Sequence, residues 1–166
     1  NTLIGHIVDV SGSGLVATLI DDEQGKSPTI TIGDEDILVG QIGSYVVIQQ
    51  ATSKILAFTT RMTEREKLAP TLPGEANSDA RLPYAQRVIN LIPLGTISSG
   101  VFERGVSAFP TTGAEVHAIG SKDIDVIFSK YCSKGFEVGF LSSNVDSKVY
   151  LDPTPFFGRH FAILGQ

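Results

Sequence analysis

The strongest constraint on this chain is a rhythm of short apolar runs, each closed by a glycine or a polar turn. Residues 3–10 read as a strand, Ser11-Gly12-Ser13-Gly14 as a turn, and 15–20 as the hairpin partner. Residues 29–32 alternate as a short strand. The segment 37–44, with Gly40 and Gly43, leads into strands at 45–50 and 54–62. Glycines between short apolar strands permit the bends that a small, strongly curved sheet needs to close on itself. Strand character resumes at 86–97, where Pro93 marks a bend or an edge position because proline cannot donate to a central ladder. Further on, 136–141 reads as a strand, 144–147 as a turn and 148–151 as the last barrel strand.

The expected fold is therefore mainly β: a small antiparallel β-barrel over residues 1–152 with one short helix. Composition agrees, with 17 glycines, one Met and no Trp. The helix candidate is 121–130, with Ser121 as N-cap, acids in the first turn, and Ile124, Ile127 and Phe128 on one face. Residues 63–83 differ: charges, prolines and small polar residues with no sustained period. They read as a long excursion with a helical turn near 64–68, either a functional loop or a tolerated surface insertion.

Several chemistries lack their residues. His6, His117 and His160 are the only histidines, Cys132 is the only cysteine, and no H-x-x-x-H or C-x-x-C spacing exists, so a structural metal site is not expected. The acids at 21–23 and 34–36 lack the spacing of a calcium loop and read as solvated turns. Gly12-Ser13-Gly14 is not followed by a helix pattern, which excludes a dinucleotide fingerprint. There is no G-x-S-x-G elbow, and Cys132 has no base nearby in sequence. One thiol fits a reducing, cytoplasmic compartment, and no apolar run approaches the ~18 residues of a membrane helix. The net charge is −5, with the acidic excess before residue 84 and no basic run, so this domain is not expected to grip nucleic acid itself.

The C-terminal stretch carries the most specific signal. Residues 161–164 form an uncharged apolar run that stops at Gly165-Gln166. It reads either as a final antiparallel strand or as a buried parallel strand feeding a phosphate loop, G-x-x-x-x-G-K-[S/T]. Two stretches, in this order, bear a resemblance. The first is Phe102-Glu103-Arg104-Gly105-Val106 with Pro110, Gly113 and Val116, of the type F-x-R-G-V-x-x-x-P-x-x-G-x-x-V. The second is Val149-Tyr150-Leu151-Asp152-Pro153 followed by Phe157-Gly158-Arg159-His160-Phe161-Ala162-Ile163-Leu164-Gly165-Gln166. Together they resemble the HerA family of hexameric DNA-translocating ATPases: its N-terminal HerA–ATP synthase (HAS) barrel and the start of its motor domain. The Asp152-Pro153-Thr154-Pro155 linker is richer in proline than is usual there.

The resemblance implies that 1–152 is the barrel and that 153–166 is a linker plus the first strand of a P-loop ATPase domain continuing past Gln166. Gly165 and Gln166 would begin the phosphate loop. Arg159 and His160 would contact nucleotide or a neighbouring subunit, or pin the linker. ATP and Mg²⁺ belong to the parent protein, and this chain, without the loop's Lys and hydroxyl, would not be catalytic. Partners would be copies of itself in a ring and an effector, a nuclease or sirtuin-type NAD hydrolase, in DNA end resection or antiphage defence. DNA would be held by the motor, with no membrane involved. Phe102, Arg104, Gly105, Phe109 and Pro110 are the expected contact residues. The alternative is a free-standing OB-like barrel that binds oligonucleotides.

Overall fold

A computed structural model of the chain describes residues 2–20, 29–32, 35–68, 83–120, 124, 126–127, 134–141, 144–158, 160 and 162. The strands are β1 (Leu3–Ser11), β2 (Gly14–Leu19), β3 (Thr29–Ile32), β4 (Glu35–Leu38), β5 (Tyr45–Gln49), β6 (Lys54–Leu68), β7 (Pro83–Ser98), β8 (Val101–Arg104), β9 (Glu115–Ala118), β10 (Phe136–Leu141) and β11 (Asn144–Leu151). A short helix, Pro153–Phe157, follows.

The expected barrel is present. β2, β1, β9, β5, β6 and β7 are hydrogen-bonded in that order, and β2 pairs with β7 to close the wall. All of these pairings are antiparallel. Closure removes the open edges that a flat sheet of the same strands would present. Alternation fills the interior: Leu15, Ala17 and Leu19 of β2 point inward, as do Val46 and Ile48 of β5 and Ile55 and Ala57 of β6. They meet Ile89, Leu91 and Val116 in one core cluster. Each fully buried aliphatic side chain contributes about 1.5–3 kcal/mol relative to exposure.

The middle of β5 and β6 is apolar on both faces. Val47 and Leu56, on the outer face, pack with Ile119 and Ile124 in a second buried cluster. This explains why Tyr45-Val46-Val47-Ile48 and Ile55-Leu56-Ala57 are continuous apolar runs rather than alternating ones. Ile124, Val126 and Ile127 are helical, and the Ile124 N–H donates to the Gly120 carbonyl at 3.2 Å. The rest of the expected helix, and Cys132 after it, lies outside the described residues.

Two glycines permit close approach. A Cβ on Gly5 would sit 2.2 Å from the Thr18 carbonyl oxygen, so only glycine lets β1 and β2 meet there. Gly95 lies beneath the Phe102 ring, where a Cβ would meet ring carbons at 2.5 and 2.7 Å. β7 and β8 are joined by Ser99-Gly100, both at positive φ (50° and 76°), the conformation a tight two-residue hairpin requires.

Four expectations are corrected. Residues 64–68 are not a helical turn: they extend β6 and pair through Leu68↔Pro83 with β7. Of the charges that hid this strand, Glu64 lies opposite Arg87, 3.5 Å from its Nε. Residues 69–82 lie outside the described residues. Glu35 and Asp36 belong to strand β4, not a turn, and the Thr31 hydroxyl donates to Asp36 Oδ1 at 2.7 Å. Asn144–Ser147 starts β11 rather than turning, and 148–151 joins no barrel strand: β10 and β11 form a separate two-stranded sheet. The linker after Leu151 contains the short helix. Asp152 caps it by accepting from the Thr154 N–H at 3.0 Å, and Pro153 occupies the first turn, where its missing N–H costs nothing. Among the described residues no helix is long and apolar enough to cross a membrane.

Candidate functional site

The outer face of β5 to β8 carries an apolar concavity. Tyr45 comes from β5, Leu56 from β6, Leu94 from β7, and Phe102 and Arg104 from β8; Ile124 and Ile127 close one side. The cavity holds about 460 Å³, within the range of about 300–1,000 Å³ usual for ligand sites. Its wall is apolar except for the Tyr45 hydroxyl and the Arg104 guanidinium. Tyr45 is fixed by an edge-on contact with Phe58, ring centroids 5.4 Å apart. Phe102 is fixed by Gly95, over which it lies. Leu94 stands out from the sheet because the β6–β7 register slips between Leu56 and Ala57, leaving Leu94 without an opposite residue. It is 37% exposed.

Arg104 is exposed and has no ion pair among the described residues. An unpaired guanidinium beside an apolar hollow can fork onto a carboxylate or phosphate.

A second, shallower hollow of about 940 Å³ lies between the β5–β6 turn and the loop 108–115. Gln49, Gln50, Thr52, Thr111 and Thr112 make it more polar than the first, and Phe109 stands over it, 49% exposed. The loop is tied down. Gln50 Nε2 donates to the Ala108 carbonyl at 3.1 Å, and the Gly113 N–H donates to the Ile7 carbonyl at 2.7 Å.

The expected contact residues thus divide. Phe102 and Arg104 share the apolar cavity. Gly105, at φ 90°, turns the chain out of β8, and its N–H donates to the Leu94 carbonyl at 3.0 Å. Phe109 belongs to the second hollow, and Pro110, next to it in the loop, is buried. His160 is exposed; Arg159, Gly165 and Gln166 lie outside the described residues. Sequence reasoning missed Tyr45, Leu56, Leu94, Ile124 and Ile127, which come from three strands and a helical turn. The one available signal was the doubly apolar run 45–48, which demands a cover on the outer face.

His117 sits between Thr2 and Glu115: its Nε2 is 3.0 Å from Glu115 Oε2 and its Nδ1 is 3.1 Å from the Thr2 hydroxyl. Both ring nitrogens thus have a hydrogen-bond partner, as expected of a packed side chain. Among the described residues no group of three or more His, Cys, Asp or Glu side chains is placed to hold a metal ion.

Searched against protein-family models, the chain matches none. No curated protein matches it either.

Proposed function

We propose that this chain is the assembly and docking barrel of a HerA-like, ATP-dependent DNA translocase. The observation that carries the reading is a closed antiparallel barrel followed by the stretch 157–166, which resembles the start of that family's motor. Two further features support a docking role. The concave outer face presents apolar side chains beside an arginine with no ion pair among the described residues, and the loop 105–114 is held by backbone bonds at its ends. In this reading copies of the barrel close a hexameric ring through head-to-tail contacts. An effector, a nuclease or a sirtuin-type NAD hydrolase, docks on the exposed face. ATP and Mg²⁺ bind in the motor domain that Gly165-Gln166 begins, DNA passes through that motor, and the assembly works in the cytoplasm in end resection or antiphage defence.

The test starts with the residues that follow Gln166 in the gene. A glycine, a lysine and a Ser or Thr in phosphate-loop spacing are expected. The parent protein should then hydrolyse ATP with Mg²⁺, faster with duplex DNA, and scatter light as a closed ring. This chain alone should show no turnover, since it lacks the loop's lysine and hydroxyl. A parent without that lysine, or one that hydrolyses no ATP in the presence of DNA, overturns the reading.

A further inference from the structure

β8 is the last strand of its sheet, and among the described residues no strand pairs with its outer edge. Its hairpin with β7 fixes which backbone groups face outward. With a two-residue turn, the flanking pair Ser98 and Val101 exchanges hydrogen bonds, so Val101 and Glu103 aim theirs at β7. The Gly105 N–H continues that series by reaching the Leu94 carbonyl. Phe102 and Arg104 therefore aim their backbone N–H and C=O groups at the free edge. Those two residues also place their side chains on one face, in the wall of the apolar cavity. Backbone donors and acceptors, an apolar wall and an exposed cation thus share the same two-residue spacing.

We propose that this edge and cavity bind an extended acidic segment of a partner protein, added to β8 as a further strand. The segment carries a bulky apolar residue and, two positions away on the same face, an Asp or Glu. Its backbone bonds to Phe102 and Arg104, its apolar side chain packs on Phe102 at the cavity, and its carboxylate pairs with the Arg104 guanidinium. Strand addition supplies the affinity through main-chain bonds, while the alternating side chains set the choice of partner. Charge decides the occupant: an acidic residue meets Arg104, whereas a lysine there leaves two cations together. The inference rests on reading the chain as a docking barrel and names the chemistry of the docked segment.

The test uses this chain and two fluorescein-labelled peptides, T-V-T-F-T-D-T-V and the same sequence with lysine replacing aspartate. Fluorescence anisotropy should show saturable binding of the acidic peptide and at least about tenfold weaker binding of the basic one, the scale of one charge-assisted pair. Arg104→Glu, an exposed site whose change leaves the core intact, should reverse that preference. Leu94→Glu should weaken both. No saturable binding, or a preference unchanged by Arg104→Glu, overturns the proposal. So does decanoate saturating the cavity while the peptide does not bind, which would make it a small-molecule site. Self-association of the chain abolished by Arg104→Glu also overturns it, since a second copy would then be the occupant. None of these readings depends on ATP hydrolysis or ring size, so failure here is separable from failure of the translocase reading.

Discussion

The barrel and the β10–β11 hairpin are both antiparallel, yet they dry their apolar residues by different means. In the barrel, Ile48, Ile55, Ile89 and Val116 have no exposure, because six strands from distant parts of the chain close around them. In the hairpin, Phe136 stacks on Phe157 at 5.5 Å and meets Phe156 edge-on at 5.9 Å, a cluster built within one stretch of sequence. Phe140 and Phe157 nonetheless remain 57% and 61% exposed. Closure, not strand content, excludes water. A single two-stranded ribbon offers only one layer, and side-chain stacking takes the place of a second.

The sharpest way to break this comparison is to open the barrel from inside. Ile48→Ala removes a side chain with no exposure from a core that all six wall strands line. The expected loss is about 2–5 kcal/mol of unfolding free energy, read by urea denaturation. A loss below about 1 kcal/mol would mean the interior collapses freely around the gap and is not the rigid core inferred here.

The second test concerns independence. Phe136→Ala deletes the ring shared by both Phe156 and Phe157. Each aromatic contact is worth about 0.5–1.5 kcal/mol beyond area burial. Amide protection in Phe136–Leu141 and Asn144–Leu151 should fall, while the denaturation midpoint of the barrel holds. A barrel midpoint that moves with it would join the two regions into one cooperative unit.

The same contrast governs what the sequence disclosed. Barrel strands announced themselves because each had at least one dry face, and alternation such as Leu15, Ala17, Leu19 is visible locally. The glycine corners marked the bends. The far half of the β6–β7 ribbon did not show, because Glu64, Arg65 and Glu66 are solvated and pattern arguments detect only burial. Its evidence was non-local: Glu64 gains meaning only opposite Arg87. Asn144–Ser147 misled for the same reason: three of its four residues are polar, and the strand shows only through the pairing of β11 with β10. The loop motif singled out Phe102 and Arg104, but a motif could not reveal that Tyr45, Leu56 and Ile127 lie around them. That grouping follows from register and closure.

The smallest expected effect is electrostatic and belongs to the hairpin. Lys148 Nζ lies 2.9 Å from Glu137 Oε2, across the β10–β11 ladder and exposed to solvent. The hydrogen bond to Glu137, then its charge, then that of Tyr150, raise the Lys148 pKa above its ordinary 10.5. A cation held more tightly in the fold than in the unfolded chain stabilises the fold wherever it is protonated. The contribution is therefore complete below the ordinary lysine value and disappears as pH rises through the higher folded value. At such exposure the pair is screened, so its effect on global stability is slight. The better readout is the Lys148 side-chain carbon shift in an alkaline NMR titration. Its midpoint should lie above 10.5 and fall toward that value in Glu137→Gln, with the barrel's core methyl signals unmoved in both. A midpoint at or below the ordinary value would show that the ribbon does not hold this pair in solution.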